Sequence, residues 1–86
     1  MDDEIDNQFQ ICVRKINNMR RENLIMYDDF IVIYGFYKQA LFGDNNISKP
    51  YWFYFHNINK WNSWRKNLNK SKDDAKKDYI ITASNL

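Results

Sequence analysis

The chain has 86 residues, of which 44% are hydrophobic, 17% are aromatic and 28% are charged, and its formal net charge is +2. This length predicts a single domain over residues 1–86, and the weak basic bias falls well short of the clustered charge of a dedicated DNA-binding protein. Two glycines and one proline are too few for the tight turns of a small β-barrel or sandwich, so the composition predicts a few helices with short connections.

The beginning of the chain and its cysteine content bear on the compartment. The sequence opens with the acidic segment Met-Asp-Asp-Glu, so we expect neither a secretory signal nor a transit peptide. No stretch approaches the ~18 apolar residues of a membrane span. The single cysteine, Cys12, excludes a disulfide framework and fits a reducing compartment. A cytoplasmic protein is therefore expected.

The first helix is predicted from apolar residues spaced three or four positions apart. We expect about three turns, starting from an N-cap at Asp6 or Asn7, followed by a connector from Arg20 to Met26. Cys12 belongs to the apolar stripe and is expected to be a small buried hydrophobic residue rather than a reactive thiol. The stripe consists of Phe9, Cys12, Val13, Ile16 and Met19.

The second helix is predicted to begin at Tyr27 or Asp28, to run through Phe42 and to end at Gly43. The β-branched and aromatic residues that begin at Phe30 could indicate a strand, but they do not alternate with polar residues and no partner strand exists. Apolar residues cover more than the ~100° stripe that packing requires. Part of this helix surface is therefore expected to serve something other than the core.

A loop is predicted over residues 44–49, ending at Pro50. Five aromatic residues follow, from Tyr51 to Phe55, and then His56. Such a run is an aggregation hazard when it is left open. We therefore expect it to be buried, covered by a ligand or used for docking.

Two further helices are expected. The third is predicted over Asn57 to Leu68, and the fourth is predicted to start at a capping box from Ser71 to Asp74. The apolar face of the third helix would contain Ile58, Trp61, Trp64 and Leu68, and that of the fourth would contain Ala75, Tyr79, Thr82 or Ala83, and Leu86.

Three residues of the second helix indicate a ligand. Tyr34, Tyr37 and Lys38 project within one arc of the helix, which presents two phenols and an ammonium group on one surface. That surface suits a flat aromatic ring and an anion together, as in a nucleotide. No nucleophile motif or Gly-rich phosphate loop is present, and His56 has no second histidine or cysteine at metal-ligand spacing. We therefore expect a binding protein without cofactor or metal, not an enzyme.

The stretch Tyr34 to Asp44 closely resembles the signature Tyr-x-x-Tyr-Lys-Gln-Ala-x-x-Gly-Asp of the acyl-CoA-binding protein (diazepam-binding inhibitor) family. Two later blocks resemble that family as well, with no gap in the spacing between them, so the resemblance covers nearly the whole chain. These blocks are Lys60-Trp61-Asn62-Ser63-Trp64 and Ser71-Lys72-Asp73-Asp74-Ala75, the latter followed by Tyr79-Ile80.

The resemblance implies an all-α, four-helix up-down-down-up bundle that binds long-chain fatty acyl-CoA esters and carries and buffers them without chemistry. By the same resemblance, the CoA 3′-phosphate would be held by Tyr34, Lys38 and Lys60. The adenine would lie between Tyr37 and Tyr79, and the acyl chain would meet Phe30 and Ile31.

The chain also departs from the family pattern. Asn17 stands where the family often has a lysine, and Arg14 or Arg20 could replace that phosphate contact. His56 stands at another family lysine and is expected near the pyrophosphate. The aromatic run stands where the family has smaller or more polar residues. Its rings would either reshape the tunnel for the acyl chain or provide a transient contact with a membrane or with a donor or acceptor enzyme. A monomer is expected.

Two other functions fit part of the sequence. A small basic and aromatic helical domain could bind nucleic acid, and that binding would weaken by decades with added salt, whereas burial of an acyl chain would persist. A degenerate family member could serve only for protein interaction, but it would have no use for the tyrosines and lysines named above. We therefore expect acyl-CoA as the ligand and no nucleic acid.

Overall fold

The computed structural model describes residues 3–86 as four helices: α1 (Asp3–Arg21), α2 (Tyr27–Phe42), α3 (Phe55–Arg65) and α4 (Lys72–Ser84). These residues contain no strand, which confirms the helical expectation and the rejection of a strand at Phe30. The first two residues of the acidic opening segment lie outside the described residues. None of the helices in the described range is long and apolar enough to cross a membrane.

Helix α1 begins at Asp3, so the expected start at an Asp6 or Asn7 cap is wrong. Carboxylates at Asp3, Glu4 and Asp6 occupy its first turn, where the partial positive charge of the helix end stabilises them. Asp6 also accepts a 2.7 Å hydrogen bond from Nζ of Lys76 on α4, and this bond lowers the pKa of the Asp6 carboxyl. The helix therefore begins earlier than expected, with polar residues that precede the apolar stripe.

The connector between α1 and α2 starts later than expected, because Arg20 and Arg21 form the last turn of α1. Asn23 follows in the left-handed region with a φ of 57°, which stops the helix. The amide of Leu24 then donates a 2.7 Å hydrogen bond to the carbonyl of Met19. Arg20 is consequently held on α1 rather than in a loop.

Helix α2 has its predicted bounds, and its end is fastened to the α3–α4 connection. Gly43 has a φ of 77° and donates its amide to the carbonyl of Gln39 at 3.0 Å. The buried Gln39 side chain donates to Oδ1 of Asp44 at 2.9 Å and to the carbonyl of Lys70 at 2.7 Å. Oδ1 of Asp44 also accepts from the amide of Asn69 at 2.7 Å. The second half of the Tyr34 to Asp44 stretch therefore holds the fold together.

Helix α3 is shorter than predicted, and both expected ends are wrong. It starts at Phe55 rather than Asn57 and stops at Arg65. Residues 66–69 form turns, which leaves Leu68 41% exposed instead of on the apolar face. Trp64, in contrast, is buried and donates its indole N–H to the carbonyl of Gly43 at 2.8 Å.

Helices α2 and α3 approach closely at Gly35. A Cβ atom at this position would lie 2.5 Å from the carbonyl oxygen of Ser63 on α3, so only glycine fits. The hydroxyl of Ser63 donates a 2.6 Å hydrogen bond to the carbonyl of Ile31. This contact fixes α3 against α2 and determines where Lys60, one turn earlier on α3, can reach.

The core lies where α1, α2 and α4 meet. Helix α4 starts at Ser71 as predicted, because the Ser71 hydroxyl accepts a 3.0 Å hydrogen bond from the amide of Asp74. Nζ of Lys15 on α1 donates to the carbonyl of Ala83 at 2.8 Å across the α1–α4 contact. The core contains the predicted Cys12, and its buried members are Phe9, Cys12, Ile16, Ile33, Ala40, Ala75, Tyr79 and Ala83.

Candidate functional site

A cavity of about 190 Å³ opens between α1, α2, α3 and α4. Within the described chain, none of the residues that line it is acidic, and two are cationic. The lining consists of the aliphatic residues Val13, Ile16 and Ile33, the aromatic residues Phe30, Tyr34, Tyr37 and Tyr79, and the polar residues Asn17, Arg20 and Lys60.

Two ammonium groups from different helices flank the ring of Tyr34. Nζ of Lys60 on α3 lies 4.7 Å from the ring centre, and Nζ of Lys38 on α2 lies 6.0 Å from it. Lys38 is also 4.4 Å from the ring of Phe42 and 4.9 Å from that of Trp64. Burial raises the pKa of the Tyr34 phenol, so it remains a neutral hydrogen-bond donor between two cations. This arrangement can hold a phosphate by charge-assisted hydrogen bonds.

Tyr37 and Tyr79 form the aromatic part of the site, together with Phe9. The ring centres of Tyr37 and Tyr79 are 6.2 Å apart, and both rings contact that of Phe9. Tyr79 is only 2% exposed, and its burial raises the pKa of its phenol. Tyr37 is half-buried. A planar ligand can thus stack on Tyr37, while Tyr79 forms the floor.

Phe30 and Ile31, the residues expected to meet the acyl chain, lie on different faces of α2. Phe30 lines the cavity beside Tyr34, with a ring separation of 6.1 Å. Ile31 lines a larger groove of about 680 Å³ between α2 and α3. The charged residues that line that groove are Asp28, Arg65 and Lys66, and neither Tyr34 nor Lys60 lines it. Tyr34, Tyr37, Tyr79 and Lys60 therefore meet at the smaller cavity, although the groove is the larger space.

His56 lies apart from the cavity, at the start of α3. Its Nδ1 is hydrogen-bonded to the hydroxyl of Tyr27 at 2.9 Å, and that hydroxyl accepts a 3.2 Å hydrogen bond from the side chain of Asn59. His56 is thus joined to the beginning of α2 and is exposed. The described residues contain no cluster of His, Cys, Asp or Glu that could hold a metal ion.

Sequence reasoning left open whether Arg14 or Arg20 could replace the missing lysine at Asn17. Both arginines are exposed, but Arg20 lines the cavity, with its guanidinium 4.3 Å from the ring centre of Phe30, whereas Arg14 does not line it. Sequence reasoning placed Val13 and Ile16, which line the cavity, only in the apolar stripe of the core. The signal that could have selected Arg20 was helical spacing, because Arg20 follows Ile16 by one turn on the same face of α1.

Comparisons with known proteins identify the family of the chain. The family described as Acyl CoA binding protein matches residues 6–83 of the chain. Acyl-CoA-binding protein 2 of Saccharomyces pastorianus is 42% identical over 59 residues, which cover 69% of this chain and 68% of that protein. The Acyl-CoA-binding protein homolog of Drosophila melanogaster is 29% identical over 82 residues, which cover 95% of this chain and 93% of that protein.

A solved structure extends the comparison to three dimensions. The crystal structure of Oryza sativa Acyl-CoA-Binding Protein 2 matches with a TM-score of 0.88 at 29% identity, covering 96% of this chain and 88% of that chain. The four helices and this match confirm the expected all-α bundle with up-down-down-up topology. The chain belongs to the acyl-CoA-binding protein family, a family of ligand-binding proteins rather than enzymes.

Proposed function

We propose that the chain binds long-chain fatty acyl-CoA esters as an intracellular, cytoplasmic carrier and buffer, acts as a monomer and catalyses no reaction. The observation that carries this proposal is that Nζ of Lys60, which lines the aromatic cavity, and Nζ of Lys38, which does not line it, lie 4.7 Å and 6.0 Å from the ring centre of Tyr34. Family membership supports acyl-CoA as the ligand. The roles of individual residues are those that the family resemblance implies, and the chemistry of the cavity supports them.

The 3′-phosphate of CoA would sit among Tyr34, Lys38 and Lys60. A dianionic phosphate needs donors and positive charge, and each charge-assisted hydrogen bond contributes about 1.5–3 kcal/mol. The lysines come from two helices, so the phosphate would bridge α2 and α3. The absence of carboxylates from the lining of the cavity, as far as the chain is described, favours an anionic ligand.

The adenine would stack on Tyr37 above the buried Tyr79. A base stacked on an aromatic side chain gains about 1–3 kcal/mol, by analogy with nucleic-acid complexes. The cavity of about 190 Å³ is smaller than the ~300–1,000 Å³ typical of sites for drug-sized ligands. It therefore suits one part of an acyl-CoA ester, and the rest of the ligand would extend along the surface.

Arg20 would take the place of the lysine that the family has at Asn17 and would contact the pyrophosphate. Its guanidinium already lies at the cavity, over Phe30. A guanidinium forms paired hydrogen bonds with phosphate oxygens more readily than an ammonium group. His56 is exposed beside Tyr27 and would meet the pyrophosphate only if the ligand crosses the start of α3.

The acyl chain would start at Phe30 and continue past the start of α2 toward Ile31. Each buried methylene contributes about 0.8 kcal/mol, so around ten methylenes would offer roughly 8 kcal/mol before the costs of association. The acyl chain would thus set much of the affinity, and the nucleotide would set the identity of the ligand.

Calorimetric titration with palmitoyl-CoA, CoA and palmitate tests this division of labour. We expect the ester to bind far more tightly than either part, and Lys38→Ala and Tyr37→Ala to weaken its binding. Lys77→Ala, an exposed lysine on α4, is the matched control. Palmitate that binds as tightly as the ester would refute this division of labour, and unchanged affinity in both site variants would refute the proposed site.

A further inference from the structure

The aromatic run Tyr51–Phe55, called the aromatic loop below although Phe55 is the first residue of α3, is exposed, which excludes the alternative that it is buried. Trp52 is 75% exposed and Tyr51 is 73% exposed, and the other three rings are at least half exposed. The rings contact one another instead of the core: the centres of Phe53 and Tyr54 are 4.6 Å apart, and those of Tyr51 and Phe53 are 5.9 Å apart. The loop is a protruding aromatic cluster.

The exposure of these rings comes from a fixed backbone. The amide of Tyr54 donates a 3.0 Å hydrogen bond to the carbonyl of Tyr51, which closes a turn. The preceding loop is fastened to α3, because the buried Asn45 donates to the carbonyl of Trp61 at 3.2 Å and the Trp61 indole donates to the carbonyl of Ile47 at 2.7 Å. These hydrogen bonds therefore hold the turn in a conformation that exposes its rings to solvent.

The sequence segment that contains the aromatic loop carries basic residues and no acidic ones. Residues 45–72 contain no aspartate or glutamate. On α2, which packs against α3, Asp28 and Asp29 follow Tyr27, whose hydroxyl contacts His56. Their negative charge partly offsets the positive charge near His56. The basic residues of the segment are Lys49, Lys60, Arg65, Lys66, Lys70 and Lys72, of which Lys70 pairs with Asp78.

We propose that the aromatic loop docks onto the interface of phospholipid bilayers, with Lys49, two residues before the loop, favouring anionic lipid. Tryptophan and tyrosine combine an apolar ring with a polar tip, and they concentrate at the boundary between headgroups and acyl chains. A protruding cluster needs no complementary cavity in a bilayer, whereas a folded partner would have to supply one. This inference goes beyond the acyl-CoA site and does not depend on it.

Sedimentation of the ligand-free protein with phosphatidylcholine vesicles, with and without phosphatidylserine, tests the proposal. We expect binding that increases with phosphatidylserine, and the double variant Tyr51→Ser/Trp52→Ser should lower the vesicle partition coefficient at least about tenfold. Ile81→Ser is the matched control, because Ile81 is 61% exposed on α4 and lies outside the loop. Unchanged melting temperature and palmitoyl-CoA affinity in the double variant would show that the fold and the ligand site are intact.

A second readout reports contact with lipid directly. Trp52 should shift its emission to the blue and be quenched by brominated lipid on vesicle binding, and Trp52→Phe should keep the binding while losing this signal. The proposal is overturned if vesicles do not bind, or if the double variant and Ile81→Ser lose binding equally. It is also overturned if sedimentation velocity shows a dimer that the double variant abolishes, or if the loop binds single-stranded RNA in preference to vesicles.

Discussion

The ammonium group of Lys60 on α3 lies 4.7 Å from the ring centre of Tyr34 on α2. The close approach of Gly35 and Ser63 makes this possible, because it brings α3 against α2 next to Tyr34 and one turn from Lys60. The contact joins a cation and a neutral phenol from separate helices at the edge of one cavity.

Lys60→Ala should lower the affinity for palmitoyl-CoA about 10- to 100-fold, the equivalent of one charge-assisted hydrogen bond to phosphate. Calorimetry with the 3′-dephospho ester shows which part of the ligand is involved. If Lys60 holds the 3′-phosphate, the variant and the wild type should bind the dephospho ester equally. Lys77→Ala should bind both esters like the wild type, and an equal loss for both esters in Lys60→Ala would assign Lys60 to another part of the ligand.

Arg20→Ala should weaken palmitoyl-CoA binding about tenfold, because its guanidinium is the second cation at the cavity. It should also cost about 0.5–1 kcal/mol of stability through the lost contact with the Phe30 ring. Arg14→Ala, on the same helix but away from the cavity, should change neither quantity. Calorimetry and urea unfolding measure the two effects, and equal losses of affinity in both variants would show a general effect of positive charge.

Gly35→Ala should destabilise the protein by about 1–3 kcal/mol, because the added methyl group meets the backbone of Ser63. Adding Ser63→Ala should not restore stability, since the carbonyl oxygen of residue 63, at 2.5 Å from the new Cβ, remains. Gly43→Ala is the comparison: its Cβ would have space, and its φ of 77° should cost about 1 kcal/mol. Urea unfolding measures all three, and rescue by Ser63→Ala would show that the hydroxyl alone makes the clash.

Asp44→Asn should destabilise the protein at neutral pH and have little effect in acid. The hydrogen bonds from Gln39 and from the Asn69 amide lower the pKa of the Asp44 carboxyl in the folded state. A lowered folded-state pKa adds stability that is complete above the ordinary value of 3.8 and is lost as the pH falls through the folded-state pKa. The difference in unfolding free energy between wild type and variant should therefore close at low pH.

Urea unfolding at several pH values measures this difference, and Glu22→Gln in the α1–α2 connector is the control. A gap between wild type and Asp44→Asn that stays constant with pH would show that the variant acts through packing alone. The same result would show that the charge on Asp44 does not contribute to holding the end of α2.

The sequence by itself determined the features that depend on neighbours along the chain. Gly43 and Ser71 marked a helix end and a helix start correctly, because a positive φ and a side-chain cap are local requirements. The spacing of Phe9, Cys12 and Ile16 identified a core face, since one helix face is shared by residues three and four apart. The Tyr34 to Asp44 stretch indicated the family through its resemblance to the family signature.

Only the tertiary structure decided which side chains meet across helices. Phe30 and Ile31 are adjacent in sequence but point to different faces of α2, and only the placement of α1 and α3 makes one a cavity wall and the other part of a groove. Arg20 rather than Arg14 reaches the cavity because α1 packs on α4 at a particular rotation. Contacts of this kind are set by the packing of several elements at once, and no local pattern in one segment contains the position of its neighbours.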